Sequence, residues 1–124
     1  MFAVGEQLLG QVDDRLLKIS CGFAGGIGCT HHDVCGALSS GIMLLGVLYG
    51  RTRSNEDDEL CQKLAAGYRD RFNRSLGSVY CHQLRASGYG SQDGEPCSVL
   101  VERAARLLLT LLDGVDENEV KTTP

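Results

Sequence analysis

The residues most able to do chemistry in this 124-residue chain are its six cysteines. Three of them lie in a glycine-rich segment that also holds two adjacent histidines, CGFAGGIGCTHHDVCGALSSG, residues 21–41. Thiolates attack disulfides and bind soft metals, and imidazoles also bind metals. Glycines let the backbone and a ligand approach each other closely. The segment therefore suggests a metal site, a redox centre, a phosphate loop, or closely packed backbone.

The spacing of the motifs argues against three kinds of site. A phosphate loop is not expected, because GFAGGIG follows a helical pattern instead of a strand and lacks the Gly-Lys-Ser/Thr that would complete it. A structural zinc site usually shows Cys-x2-4-Cys spacing, whereas five residues separate Cys29 from Cys35. Haem is not expected either, because SVYCH around Cys81 lacks the earlier cysteine of a haem attachment motif.

Two kinds of chemistry fit the cysteines. An iron–sulfur cluster commonly takes four cysteine thiolates, and their spacing can be irregular when they come from separate helices. Thiol–disulfide exchange needs one attacking and one resolving cysteine and no metal. The candidate cluster ligands are Cys29, Cys35, Cys81 and Cys97. In the exchange alternative Cys35 is the nucleophilic thiol and one of the other three resolves.

The elements that must position these residues are predicted to be helices. Helical spacing of apolar residues recurs along the chain and strand alternation does not, so the predicted class is all-α. We expect a single-domain bundle of four or five helices over residues 1–112 and a polar tail over residues 113–124. The first apolar stripe, which Gly10 interrupts, leaves open whether the chain begins with one helix or two. Ser54 and Asp57 form a capping-box pattern that predicts the start of the clearest helix.

Three cysteines fall near predicted helix starts. With Asp33, Ser78 and Glu95 as caps and Pro96 in a first turn, the first-turn cysteines are Cys35, Cys81 and Cys97. Unpaired amides and the helix dipole stabilise a thiolate there, so we expect lowered pKa values. Cys61 lies mid-helix on an apolar stripe and is expected to be an inert core residue. The same inert role is the alternative for the other five.

His31 and His32 are adjacent and cannot both face the same way. One of them could therefore join Cys29 and Cys35 as a ligand. The alternative is that both are solvated loop residues.

Composition limits the partners. Twelve basic and sixteen acidic residues give a net charge of -4, and the two kinds are interspersed, so no nucleic-acid face is expected. The N-terminus lacks a cationic leader before an apolar run, and the longest apolar run, IMLLGVLYG, is too short to span a membrane. We therefore expect a soluble, cytoplasmic protein with no membrane partner. Thiols stay reduced in that compartment, which favours ligands, redox groups or core residues over structural disulfides.

Three segments taken together resemble a known family. They are GFAGGIG...VCGALSSGIMLLGVLYGR, F...SLGSVYCHQL and CSVLVERAA, within residues 13–105. The combination resembles the redox-active protein family named for its C_GCAxxG_C_C cysteine pattern. The resemblance places the family's central cysteine at Cys35, followed by Gly36 and Ala37, and its two later cysteines at Cys81 and Cys97. It implies redox activity.

The same resemblance extends to a domain of split-Soret cytochrome c, with which an iron–sulfur centre is associated. It therefore implies a cluster, but not the cytochrome's haem function, since no haem motif is present here. The family's usual N-terminal helix with an early cysteine is not matched. We expect either a partner, such as a second copy in a homodimer, to complete the fold, or Cys21 or Cys29 to supply that thiol.

The leading hypothesis is a small all-α redox protein that binds an iron–sulfur cluster and passes single electrons to an unidentified partner protein. One alternative is a metal-free thiol–disulfide protein. The other is a structural or adaptor bundle with inert thiols. Colour separates the first two, because a cluster protein purified without oxygen should be brown and a dithiol protein colourless.

Overall fold

Helical segments make up most of the described chain, which comprises residues 2–90, 94 and 96–115 of the computed structural model. In chain order they are α1 (Phe2–Leu9), α2 (Asp14–Ser20), a 3-10 turn (Cys21–Phe23), α3 (Gly36–Tyr49), α4 (Glu59–Leu76), α5 (Cys81–Ala86) and α6 (Cys97–Asp113). These residues contain no β-strand, only an isolated antiparallel bridge between Val34 and Tyr80. The all-α prediction is confirmed. Most of the predicted polar tail lies outside the described residues.

The first apolar stripe forms two helices. Gly10 follows α1 with a φ of +78°, a left-handed conformation that ends the helix. Asp13 then begins α2, because its carboxylate Oδ1 accepts a hydrogen bond of 2.7 Å from the amide of Arg15. The described chain thus has six α-helices instead of the predicted four or five.

The core lies where α3, α4 and α6 pack against one another. The buried stripe of α4 follows i, i+4 spacing and consists of Leu60, Leu64, Tyr68, Phe72 and Leu76. The hydroxyl of Tyr68 donates a hydrogen bond of 3.1 Å to the carbonyl of Ala104 in α6. A side chain at Gly41 of α3 would collide with the Tyr68 ring. The missing side chain at Gly41 therefore allows α3 to pack closely against α4.

The start of α4 differs from the prediction. Ser54 and Asp57 do not form a capping box, and the helix begins at Glu59, whose amide donates a hydrogen bond of 2.8 Å to the Asp57 carboxylate. Arg51 donates hydrogen bonds to the carbonyls of Ser54 and Glu56, which holds the preceding residues in turns. Helix α4 ends at Gly77, whose φ of +93° is left-handed.

Two backbone hydrogen bonds hold the start of α3 beside the start of α5. The amide of Cys35 donates to the carbonyl of Val79 at 2.8 Å, and the amide of Cys81 donates to the carbonyl of Asp33 at 2.9 Å. Both flank the Val34 and Tyr80 bridge. This pairing places two cysteines from distant parts of the sequence at one end of the bundle.

None of the helices in the described ranges has the length and apolar character needed to cross a membrane.

Candidate functional site

A cavity of about 520 Å³ lies at this end of the bundle. Its walls come from α2 and the following turn, and from the starts of α3, α5 and α6. Apolar side chains dominate the walls, among them Leu17, Ala37, Leu84, Leu100 and Val101. Four thiols line the same space, those of Cys21, Cys35, Cys81 and Cys97. The cavity has the volume of a small-molecule or cofactor site.

Three of these cysteines begin helices, as the sequence predicted. Cys81 and Cys97 are the first residues of α5 and α6, and Cys35 is the cap residue immediately before α3. The caps themselves differ from the prediction. Tyr80 precedes α5 and Pro96 precedes α6, while Glu95 lies outside the described residues.

The predicted lowering of the Cys35 pKa is wrong. Burial raises the pKa of this thiol, because removal from water disfavours the thiolate. The amides of Ala37 and Leu38 at the start of α3 act in the opposite direction and lower the pKa, but burial outweighs them. The negative charges of Cys81 and Cys97, when ionised, raise it further. The helix start thus favours the thiolate as expected, and the surrounding core cancels the effect.

The pKa of Cys81 is also raised and not lowered. Burial is again the largest cause, although Cys81 is only partly buried. The positive charge of Arg85 lowers the pKa, and the charges of Cys97 and Cys29 raise it. Arg85 lies one helical turn after Cys81 and lines the cavity.

These mutual effects show which thiols are neighbours. Cys81 interacts with both Cys97 and Cys29, and Cys35 interacts with Cys81 and Cys97. Each of the four cysteines chosen from the sequence is thus linked to at least one other through these shifts, Cys29 through Cys81 alone. Cys29 is exposed and is not among the residues that line the cavity. Cys21 lines the cavity but contributes to none of these shifts.

The glycine-rich loop before α3 has an unusual backbone. Residues 25–29, which include Ile27 and Cys29, all have φ between +57° and +69°. This is a short left-handed run, a conformation that glycine adopts readily and other residues rarely do. A Cβ at Gly26 would lie 2.7 Å from the Cβ of Cys81 and 3.1 Å from the Cα of His31. The predicted close approach of backbone at the glycines is thus found at Gly26, where the loop contacts the start of α5.

The two histidines have different surroundings. The ring Nδ1 of His31 lies 3.4 Å from the sulfur of Cys81, and His31 is partly buried. His32 is exposed, and its backbone amide donates a hydrogen bond of 3.4 Å to the Thr30 hydroxyl. The sequence suggested that one histidine joins Cys29 and Cys35. The structure instead places His31 against Cys81.

Sequence reasoning missed two features of the cavity. The first is Arg85, whose i, i+4 spacing from Cys81 was a visible signal. The second is the turn after α5, where Gly90 has a φ of +73° and an added Cβ would lie 2.6 Å from the sulfur of Cys97. The backbone of this turn therefore lies directly against the Cys97 sulfur.

The thiols surround a space instead of meeting at one point. Among the residues that the structure describes, no group of three His, Cys, Asp or Glu side chains is arranged to hold a single metal ion. The remaining cysteine, Cys61 on α4, is partly exposed and is not part of the cavity lining. The cysteine sulfurs are therefore spread around an apolar cavity. The guanidinium of Arg85 also lines it, and the imidazole of His31 lies against Cys81.

The family model described as "Putative redox-active protein (C_GCAxxG_C_C)" matches residues 1–111. No curated protein and no solved structure matches the chain. The family match spans all six helices up to the last turn of α6 and includes every cysteine.

Proposed function

The chain belongs to the C_GCAxxG_C_C family of redox-active proteins, and we propose that it binds an iron–sulfur cluster and transfers single electrons to a partner protein. The proposed ligands are Cys29, Cys35, Cys81 and Cys97. The main supporting observation is the apolar cavity of about 520 Å³ around which thiols from three helix starts gather.

The donor set suits this cofactor. Thiolates select zinc, copper(I) and iron–sulfur clusters over harder cations. A single zinc ion with bonds of about 2.3 Å would draw its sulfurs to within about 4 Å of one another. The described residues contain no such convergent group. A cluster spreads its thiolate ligands over several irons, so cysteines placed around a cavity fit it better.

Three ligands are supported more strongly than the fourth. Cys35, Cys81 and Cys97 line the cavity. Cys81 and Cys97 both raise the pKa of Cys35, and Cys97 raises the pKa of Cys81. Cys29 interacts with Cys81 but stands outside the lining, whereas Cys21 lines the cavity and interacts with none of the three. We propose Cys29 as the fourth ligand because its loop is held against the start of α5. Cys21 is the alternative that the ligand variants must exclude.

The bound cluster would supply a one-electron couple whose potential depends on hydrogen bonds to sulfur, charge and solvent exposure. The chain itself contributes the surroundings. Leu84 and Leu100 are almost fully buried and limit water at the cavity wall. Arg85 places a positive charge beside Cys81 and offsets the negative charge of the thiolates. Cys29 and Cys97 are exposed, which would bring the redox centre close to the surface for a partner.

The first experiment is an ultraviolet–visible spectrum with iron and acid-labile sulfide analysis on protein purified without oxygen. We expect visible charge-transfer bands together with bound iron and sulfide. A featureless, iron-free spectrum that persists after cluster reconstitution would overturn the proposal.

Cysteine-to-serine variants then identify the ligands. Serine at position 35, 81 or 97 should abolish or sharply reduce bound iron. Comparison of Cys29→Ser with Cys21→Ser decides the fourth ligand, since only the true ligand lowers the iron content. Cys61→Ser is the matched control, because this cysteine lies on α4 away from the cavity lining and should leave iron content unchanged.

The metal-free alternative is thiol–disulfide exchange, supported by the single cavity that Cys35, Cys81 and Cys97 line together. In that case Cys35 attacks a substrate disulfide as thiolate, one substrate thiol leaves, and a second cysteine displaces the other. The chain ends as a disulfide and the substrate as two thiols, so two protein thiols are oxidised per turnover. A colourless protein that loses two titratable thiols on oxidation would favour this function.

A further inference from the structure

The imidazole of His31 lies against the sulfur of Cys81, one of the proposed cluster ligands. We propose that the His31 ring donates a hydrogen bond from Nδ1 to the sulfur of Cys81 and thereby raises the reduction potential of the centre that Cys81 helps to hold. The two atoms lie 3.4 Å apart, within hydrogen-bonding distance for sulfur. This inference rests on the proposed cluster. It assigns a positioning and tuning role to a residue that is not itself a ligand.

The loop fixes the ring on this sulfur. His31 has a φ of +63°, which a non-glycine residue seldom adopts. Its amide donates a hydrogen bond of 2.8 Å to the carbonyl of Gly25. The Thr30 hydroxyl lies 2.9 Å from the carbonyl of Gly26, where an added Cβ would meet both His31 and Cys81. The backbone of residues 25–31 is therefore packed against the start of α5, and His31 projects from it next to the sulfur.

The direction of the effect follows from charge. A ligating thiolate has no proton, so it can only accept a hydrogen bond, and a neutral imidazole with Nδ1 protonated can only donate at that atom. Reduction adds one electron to the centre, which increases the negative charge that the sulfur shares. A donor to that sulfur stabilises the reduced form more than the oxidised form and so raises the potential. No bond is made or broken at His31, which keeps its proton.

His32 provides an internal control. It is the next residue along the same loop, but it is exposed and the hydrogen bond found for it runs through its backbone amide. A charge placed at position 32 acts on the centre only through space. A change that depends on the contact with Cys81 should appear at position 31 alone.

The test uses two variants of equal size at each position. Asparagine and aspartate both tolerate positive φ, but only asparagine retains an N–H close to the place of Nδ1. We expect His31→Asn to keep the midpoint potential close to that of the parent protein. We expect His31→Asp to shift the one-electron equilibrium towards the oxidised form on the order of tenfold, which is about 59 mV. His32→Asn and His32→Asp should differ much less from each other.

Two results would overturn the inference without affecting the proposed function. In the first, all four variants bind iron and show the visible spectrum, but the midpoint potential of His31→Asp is no lower than that of His32→Asp. In the second, nuclear magnetic resonance spectra of the metal-free parent protein and of metal-free Cys81→Ala show the same ring nitrogen signals for His31. We expect that substitution to shift the His31 signals and to leave those of His32 in place. Absence of iron from the parent protein would remove the proposed function, and the tuning role with it.

Discussion

The backbone amide of Cys81 donates a hydrogen bond of 2.9 Å to the carbonyl of Asp33, across 48 residues of sequence. The reciprocal bond from Cys35 to Val79 completes a short antiparallel pairing. Together they set the positions of two proposed ligands by main-chain contacts alone. We therefore expect the fold to bring these two cysteines together before any metal binds.

Metal removal should leave the fold intact. Small zinc domains unfold without metal because the ion replaces a core. Here Leu45, Tyr68 and Phe72 lie in an apolar core and are almost completely buried. We expect the far-ultraviolet circular dichroism of chelator-treated protein to match that of the loaded protein, with a lower melting temperature because the bound state is no longer stabilised. A loss of most helical signal on chelation would contradict this prediction.

Gly26→Ala should destabilise both the fold and the site. The added Cβ would lie 2.7 Å from the Cβ of Cys81, and the residue would be held at a φ of +69°. We expect a loss of about 1–3 kcal/mol in the free energy of unfolding, measured by urea denaturation. Gly22→Ala is the matched control, since nothing lies within 4 Å of its Cβ and its φ is not in the left-handed range. Equal stability of the two variants would exclude the close approach.

A second glycine pair tests the core within one helix. Gly41→Ala places a methyl group against the Tyr68 ring, which is 1% exposed and cannot move into solvent. Overpacking of this kind costs about 1–3 kcal/mol. Gly46→Ala meets nothing within 4 Å and should instead stabilise α3 by up to about 1 kcal/mol. Thermal melting should therefore shift in opposite directions for the two variants.

The pKa of Cys35 predicts a particular pH dependence. Burial raises it, so alkylation of this thiol in the metal-free protein should have a midpoint above the value of about 8.5 for an unperturbed cysteine. The unfolded chain ionises first as the pH rises. The folded protein therefore holds the Cys35 proton more tightly than the unfolded chain does, and this difference stabilises the fold. The stabilisation should be fully present below about pH 8.5 and should be lost as the pH rises above that value.

Mass spectrometry of peptides after timed alkylation gives the midpoint for each cysteine separately. Cys35→Ser provides the control for the stability measurement, because it should reduce the loss at high pH. A midpoint for Cys35 at or below the unperturbed value would mean that the amides of α3 outweigh burial.

Arg85 should influence the reactivity of Cys81. Its charge lowers the pKa of that thiol, so Arg85→Ala should slow alkylation of Cys81 at fixed near-neutral pH. Because Arg85 is exposed and Cys81 is only partly buried, solvent screens their interaction, and the expected change is modest, up to about fivefold. Arg106→Ala removes an equal charge on α6 that pairs with Glu102 and should have no effect on Cys81. The same slowing in both variants would indicate a general change in net charge and not a local contact.

Local signals in the sequence predicted the helix starts at the site well. Pro96 and the Ser78 segment placed Cys97 and Cys81 at the correct helix starts, although the residues that precede α5 and α6 are Tyr80 and Pro96 and not the predicted caps. The capping box predicted at Ser54 does not form, and Arg51, from outside the motif, donates hydrogen bonds to the Ser54 and Glu56 carbonyls in the turns before α4.

Properties that depend on packing could not be predicted in this way. The raised pKa of Cys35 results from burial among distant elements, which overrides the local effect of its helix start. The contact of His31 with Cys81 joins residues 50 positions apart through a left-handed loop that no propensity indicates. The sequence pointed to the right residue types, and the tertiary fold determined which of them meet.

The left-handed run of residues 25–29 also has a chemical consequence. Ile27, at a φ of +69°, is a branched L-residue on a backbone whose handedness suits the mirror-image amino acid. In a chain assembled by chemical synthesis, D-alanine at position 27 should therefore fit better than L-alanine at the same position. The loop keeps its shape against the local preference of its own stereocentres, so the contacts at its two ends must supply the energy that holds it there.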